Sequence, residues 1–325
     1  MTVLVTGASG LLGRAVATLL VDGGHTVRTF QRRPSSVAGA ADVAGSLTET
    51  VDVRRAVQGV DAVIHLAAKV SVSGPTAEFE AVNVEGTRRL LAEAHDAGAR
   101  AFVFVSSPSV AHAGFSIVGA GAEPASPSHA RGNYARTKAA AELLALAADS
   151  GNFRVSAVRP HIVWGPGDTQ LVGRVLQRAK AGRLPLLGGG TALVDTTYVD
   201  NAASAIVAAL TRIEYVGGQA VVVSNGEPRP IGELLAAICR AGGVREPRRS
   251  VPASVGRMGG NLAENLWRLA APDREPPMTR FLAEQLSTAH WFDQRRTQAL
   301  LDWAPEVSLD EGFAQLAGHY GGSTA

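Results

Sequence analysis

The chain has 325 residues, 46% of them apolar, and its 31 basic and 29 acidic side chains leave a formal net charge of only +2. That apolar share supports a folded core and excludes a disordered chain, while the near balance of charge supplies no field to gather nucleic acid or a membrane surface. No run of about eighteen apolar residues is present to span a bilayer, and the lone cysteine, Cys239, has no second thiol to form a disulfide with. The start lacks a basic segment followed by a long apolar stretch, so the expected setting is cytoplasmic and reducing.

Taken in chain order, residues 2–6 read as a buried strand and 11–22 as a helix with apolar Leu12, Val16, Leu19 and Leu20. "HTVRTFQR" (25–32) is a second strand. "VDAVIHLAA" (60–68) is short and almost wholly apolar, as suits a parallel strand covered on both faces. "RAFVFVSS" (100–107) and "FRVSAVRP" (153–160) repeat that pattern, with helices expected over 76–97 and 133–150. Strands alternating with helices predict an α/β fold, a Rossmann-type doubly wound parallel sheet. "WGPGD" (164–168) and "GGG" (188–190) then bracket a helix, 170–182, that carries Val172, Val175, Leu176 and Ala179. "YVDNAASAIVAAL" and "QAVVVSN" add one more helix and strand to the sheet, and from about 226 onward helices and Pro-rich joints dominate. A further helical stripe over 254–270 lines up Val255, Met258, Leu262, Leu266 and Leu269. It reads as a helix packed on the sheet, with a docking face for a membrane or a partner as the alternative.

In "VLVTGASGLLGRAV" (3–16) the first strand breaks into Gly7-x-x-Gly10-x-x-Gly13, and a helix begins near Leu11. Glycines in that context let the backbone approach a pyrophosphate and aim the helix's first N–H groups at its charge. The spacing alone also suits a plain turn. Three further segments follow in order: "DAVIHLAA" (61–68), "NVEGT" (83–87) and "YARTK" (134–138). Together with Thr6 and the glycine turn they resemble the extended short-chain dehydrogenase/reductases. The resemblance implies a nicotinamide dinucleotide held by Thr6, Gly7, Ser9, Gly10, Leu11, Leu12 and Gly13, and by Leu66, Ala67 and Ala68 after the fourth signature strand. It implies further contacts from Tyr134, Lys138, Pro160, Ile162 and Val163, the last three through backbone at the nicotinamide. The expected division is a dinucleotide-binding domain over 1–163, with 199–225 returning to it, and a smaller, mostly helical substrate-binding lobe over 164–198 and 226–325.

Tyr134 and Lys138 are four apart on an expected helix and so share a face. A free tyrosine titrates near 10, and bringing it to neutrality takes roughly 4 kcal/mol of added phenolate stabilisation. A neighbouring ammonium, helped by an oxidised nicotinamide, can supply it, so that Tyr134 exchanges a proton with a substrate oxygen. "FVFVSSPSV" offers Ser106, Ser107 and Ser109 as a second hydroxyl. Ser106 and Ser107 would face opposite sides of a continuing strand, and matching the family pattern selects Ser107. Asn83 corresponds to the family's asparagine, which supports the lysine and a water chain.

Folds that select NAD place an acidic side chain at the end of the second strand. Here that place holds Gln31, followed by Arg32 and Arg33. Their charge and forked geometry suit a 2′-phosphate, so NADPH/NADP is expected, with NAD as the alternative cofactor and a solvated basic turn as the bland reading. Ser46, before Leu47, stands where the family has an aspartate near the adenine.

"RPHIVWGPGDTQLV", "LVDTTYVDNAA" and "PPMTRFLAEQLSTAHWF" narrow the resemblance to the 3β-hydroxysteroid dehydrogenase branch, and most to its bacterial 2-alkyl-3-oxoalkanoate reductases of long-chain olefin biosynthesis. This implies NADPH-dependent reduction of a 2-alkyl-3-oxo acid to the 3-hydroxy acid. Oxidation at C3 of a sterol or sterol-4-carboxylate is the alternative; sugar-nucleotide epimerisation or dehydration and a non-enzymatic dinucleotide sensor rank below it. Lys69, His112 and His161 follow strand ends and are candidates for a substrate carboxylate, each with a plain structural role as the alternative. No cluster has metal-ligand spacing. The implied partner is a lipid-like small molecule, with room for a homodimer and for association with other enzymes of the olefin pathway.

Overall fold

The computed structural model describes residues 1–70, 74–111, 115–256, 258, 284 and 286–321. In chain order its strands are β1 (Thr2–Thr6), β2 (Thr26–Gln31), β3 (Ala41–Ala44), β4 (Ala62–His65), β5 (Ala101–Val105), β6 (Ile117–Ala120), β7 (Arg154–Pro160), β8 (Val163–Trp164), β9 (Leu186–Leu187), β10 (Leu193–Val194), β11 (Thr197–Tyr198), β12 (Ala220–Val223), β13 (Arg229–Pro230), β14 (Ser250–Val251) and β15 (His290–Phe292). The helices that concern the site are α1 (Leu11–Asp22), α2 (Thr50–Val57), α3 (Thr76–Phe79), α4 (Gly86–Asp96), α5 (Gly132–Leu146), α6 (Val172–Lys180) and α7 (Val199–Thr211).

Seven strands form one sheet in the order β12-β7-β5-β4-β1-β2-β3, and every pairing in it is parallel. Strand period assigns its two faces. Val3, Val5, Val103 and Val105 pack with α1 and the alanine-rich α7, while Leu4, Phe30, Phe102 and Phe104 pack with α2, α4 and α5. Small side chains on the first face let α7 lie close, and the aromatic rings fill the wider second face. Chain order reverses direction between β1 and β4, which opens a crevice at their carboxyl ends. The turn after β1 and the segment after β4 are its two walls.

Two glycines make that junction. Gly7 has φ +77°, and a Cβ there would lie 2.9 Å from the Ala67 nitrogen. A Cβ on Gly13 would lie 2.3 Å from the Gly7 oxygen, so α1 can approach the turn only without a side chain at that position.

The remaining strands build smaller sheets: β13-β10-β15-β6, β11-β8 and β14-β9. Their core gathers Trp164, Leu176, Tyr198, Ile238 and Leu309, with Phe313 stacked on Trp164 at 4.4 Å between centroids. Cys239 is buried there.

The structure departs from the sequence expectations in definite places. β3 and α2 were not expected: β3 is a mostly exposed edge strand, and α2 buries only Val53, Ala56 and Val57. The later part holds more strand than expected, in pieces of two to four residues that are too short to show a period. The expected helix over 76–97 is three pieces, with a π-helical turn at Glu80–Glu85 between α3 and α4. Most of the 254–270 stripe lies outside the described residues; Val255 and Met258 are exposed. Among the described residues no helix is long and apolar enough to cross a membrane.

Gly13→Ala should lower stability by about 1–3 kcal/mol, the usual range for overpacking, because the atom it meets is backbone and cannot rotate away. Urea unfolding measures this, and an unchanged midpoint would show that the turn yields freely.

Candidate active site

The glycine turn presents its backbone outward. Gly10 caps α1 in an extended conformation, its N–H bonded to the Gly7 oxygen at 3.1 Å. A Cβ on Gly10 would meet only that oxygen, at 3.5 Å, and both Ser9 and Gly10 are exposed. No side chain caps α1, and its first turn holds no acidic residue. The first N–H groups of the helix, around Leu11 and Leu12, are thus left to an anion, which is what a pyrophosphate requires. The residues present fit a dinucleotide.

At the carboxyl end of β2, the Gln31 amide donates to Thr29 Oγ1 at 3.1 Å and to Asp42 Oδ1 at 3.0 Å, so it turns toward β3. Burial raises the Asp42 pKa, but hydrogen bonds from Thr29, Ser35 and Gln31 outweigh it and hold the carboxyl below its ordinary value. Arg32 and Arg33 follow, both exposed. Ser46 is engaged in the turn before α2: its N–H donates to Asp52 Oδ2 at 3.0 Å, and its Oγ accepts from the Thr48 N–H. Leu47 is buried in the α2/α4 face of the core and lies against Gly86.

Helix α5 carries Tyr134 and Lys138 on one face. Lys138 is buried, and its Nζ donates to the Val105 oxygen at 2.7 Å and lies 3.9 Å from the centre of the Phe104 ring. Burial brings its pKa down to about 7, with Glu142 opposing. Tyr134 is pushed up to about 12 by burial. The Lys138 ammonium bonds the end of β5, and low polarity around the phenol favours its neutral form.

The Lys138–Val105 bond brings α5 onto β5 two residues before Ser107. Ser107 Oγ accepts from the Ser109 N–H at 3.3 Å and from the Ser109 hydroxyl at 3.0 Å. Its lone pairs are engaged, so its own hydrogen is the one to donate outward. Ser106 parts from it as the alternation requires: its N–H bonds the Val158 oxygen at 2.7 Å and its side chain is buried.

Asn83, in the π-helical turn, is buried and does not bond Lys138 directly. Its Oδ1 accepts from the Lys69 N–H at 2.7 Å, and its Nδ2 donates to the Lys69 oxygen at 3.2 Å and to Thr137 Oγ1 at 3.0 Å. It therefore fastens the segment after β4 to α5. Lys69 reaches Glu78 at 2.7 Å. The His161 ring is buried edge-on to Phe292, at 5.0 Å between centroids. His112 lies outside the described residues. Among the described residues no group of three or more His, Cys, Asp or Glu could hold a metal ion.

Residues 3–224 match the model of the NAD dependent epimerase/dehydratase family. The chain belongs to this family. It is 39% identical, over 97% of its length and 98% of the relative's, to a protein of Stenotrophomonas maltophilia (strain K279a) named 2-alkyl-3-oxoalkanoate reductase. A protein of the same name from Shewanella oneidensis is 35% identical over 96% of this chain and 84% of its own. A 3-beta-hydroxysteroid dehydrogenase of Mycolicibacterium neoaurum is 29% identical over 98% and 91%. Among solved structures, a short-chain dehydrogenase/reductase superfamily protein from Agrobacterium tumefaciens with bound NAD superimposes with a TM-score of 0.76 at 25% identity, over 100% of this chain and 98% of that one. The chain is an NAD(P)-dependent oxidoreductase of the short-chain dehydrogenase/reductase superfamily.

Two features of this family member were not read from the sequence. His65, at the end of β4, is buried and bonded on both ring nitrogens; its apolar neighbours "DAVIHLAA" make it look like one more core position. Ile162 sits at φ +45°, a left-handed conformation costing about 1–3 kcal/mol for a branched side chain. Its neighbours hold it there: the His161 N–H bonds the Val223 oxygen at 2.9 Å, and Thr197 Oγ1 bonds the His161 oxygen at 2.7 Å. Nothing in an isoleucine signals this, since its own preference is the opposite.

With Tyr134 protonated far above neutrality, the group that changes charge in the working range is Lys138. Its ammonium predominates below about 7 and is lost as pH rises through it. Carbonyl reduction, which gains from the positive charge, should therefore show kcat/KM falling through that pH. In Lys138→Met the inflection should vanish, leaving a lower, flat profile from about pH 6 to 9. Persistence of the inflection in that variant would assign it to another group.

Proposed function

We propose that the chain reduces a long-chain 2-alkyl-3-oxoalkanoic acid to the 2-alkyl-3-hydroxyalkanoic acid with NADPH, a step in olefin biosynthesis. The observation that supports this reading is 39% and 35% identity, over nearly the whole of this chain, to two reductases of that name, in a sequence that has Ser107, Tyr134 and Lys138. The bound dinucleotide supplies the hydride. Tyr134, held protonated by burial, gives its proton to the C3 oxygen, and the outward hydrogen of Ser107 bonds that same oxygen as negative charge grows on it. Lys138 lends positive charge to the phenolate left on Tyr134, which takes a proton back from solvent to complete the cycle.

Residues 164–198 and 226–325 form the substrate-binding lobe in this reading, over a dinucleotide-binding part made of 1–163 and 199–225. Lys69 meets the substrate carboxylate by exchanging Glu78 for it. That carboxylate is exposed, and an exposed ion pair is worth only about 0–1 kcal/mol. His161 is the second candidate for this contact. Arg32 and Arg33 take the 2′-phosphate, since β2 ends in Gln31 and the neighbouring Asp42 carboxylate is already held by Thr29, Ser35 and Gln31.

Arg32→Ala combined with Arg33→Ala should weaken NADPH binding about 10–100-fold while NADH binding hardly changes. Fluorescence titration of both cofactors checks this, and equal losses would mean that these arginines do not read the phosphate. The substrate itself is tested by comparing kcat/KM for a 2-alkyl-3-keto acid, the neutral ketone left after its decarboxylation, and a 3-ketosteroid. The acid should be preferred about tenfold or more over the ketone, and Lys69→Met should erase part of that preference. A better rate with the ketone would remove the carboxylate contact, and a better rate with the steroid would replace the keto acid as substrate.

A further inference from the structure

We infer that His65 is a positioning residue: as a neutral ring protonated on Nε2, it locks the phosphate turn to Asn83 and so fixes that turn relative to the catalytic helix. The inference needs only the dinucleotide turn, not the substrate proposed above.

The direction of every bond in this chain follows from one carbonyl. Thr87 Oγ1 lies 2.6 Å from the Asn83 oxygen, which can only accept, so Thr87 uses its hydrogen there. At His65 Nε2, 3.0 Å away, Thr87 must then accept, and the ring carries its hydrogen on Nε2. Nδ1 is thereby bare and accepts from the Thr6 hydroxyl at 2.7 Å. Thr6 Oγ1 in turn accepts from the Ala67 N–H at 3.1 Å. Each hydrogen has one acceptor, and no second arrangement of a neutral ring satisfies all five groups. Thr6 adjoins Gly7, and Ala67 is the residue that the Gly7 backbone approaches most closely. At the other end, the Asn83 amide bonds Thr137, whose hydroxyl donates to the Asn133 oxygen at 2.7 Å, inside the turn of α5 that carries Tyr134 and Lys138.

The surroundings keep the ring neutral. His65 is buried against Phe102 and Phe104, at 5.9 and 5.8 Å between centroids. The charged group facing it is Lys138, above Phe104. Burial first, and then the Lys138 charge, bring the His65 pKa down to about 3. The ring therefore does not titrate in the working range.

A testable consequence separates this role from simple packing. Removing the Thr87 hydroxyl strands the Nε2 hydrogen. The ring is then better served by carrying its hydrogen on Nδ1 and donating to Thr6, which frees the Thr6 hydrogen beside the phosphate turn. Thr87→Val should thus change a group it does not touch.

Long-range proton–nitrogen NMR of uniformly 15N-labelled protein reads the tautomer, with the His65 signals identified by their loss in His65→Asn. Wild-type His65 should be the Nε2-protonated form, unchanged from pH 5 to 8. Thr87→Val should move it to the Nδ1-protonated form and weaken NADPH binding at least about threefold by fluorescence titration, while Thr87→Ser preserves both. Thr6→Val and Thr87→Val together should cost less than the product of their separate effects, since either one interrupts the same chain. A wild-type ring protonated on Nδ1, or one that titrates between pH 5 and 8, would overturn the inference even if no variant folds. So would a Thr87→Val protein whose tautomer and NADPH affinity match the wild type, or fully multiplicative losses in the double variant.

Discussion

With a Cβ on residue 13 only 2.3 Å from the Gly7 oxygen, α1 reaches its place solely because that position has no side chain. Much else hangs from this contact. It sets α1 against β1 closely enough for the uncapped first turn to look over Gly10. Gly7, likewise without a side chain, lets its backbone lie against Ala67, so the segments leaving the paired β1 and β4 run together and Thr6 can bond both Ala67 and His65. On the same face, α7 matches the close approach with alanines where larger residues would hold it off.

The helix that carries Tyr134 and Lys138 rests on a different balance. Burying Lys138 costs its charge much of its stability, and the Glu142 carboxylate one turn later opposes that only in part. Glu142 is also held by Arg159, whose Nε donates to Oε2 at 2.9 Å and whose other guanidinium nitrogen bonds Oε1. Arg159 also donates to the Glu123 oxygen at 2.6 Å, so the buried ion pair is satisfied on its own terms. Lys138 is left near the point where it exchanges a proton in the neutral range. Tyr134, with no such partner, keeps its hydrogen. The two residues of one helical face are thereby given separate ionisations by what lies behind them.

Much of the fold was legible because a doubly wound sheet writes itself as apolar runs of four to seven residues spaced by amphipathic helices. The strands around β1, β4, β5 and β7 and the helices α1 and α5 could be placed from those runs. β3 and α2 could not, since an exposed edge strand and a helix burying three side chains carry little pattern. The short strands of the lobe are held by partners far along the chain, as β15 is by β6 and β10, and leave no local trace. Within the site, the alternation that separates Ser106 from Ser107 was readable. The turning of Gln31 toward Asp42, the burial of Leu47 and the pairing of Lys69 with Glu78 depend on neighbours that sequence order does not supply.

By itself, then, the sequence determined the sheet and the glycine turn, because these follow from side-chain period and from where a turn needs glycine, and its resemblance to a family named the candidate hydroxyls and amine. Only the tertiary structure decided how those groups are tuned. Whether Lys138 charges, whether Tyr134 keeps its hydrogen, and which nitrogen of His65 is protonated all depend on desolvation and on hydrogen-bond partners from other elements. Thr87 and Asn83, the neighbours that fix the His65 proton, lie on a helix and a π-helical turn that only folding brings against β4.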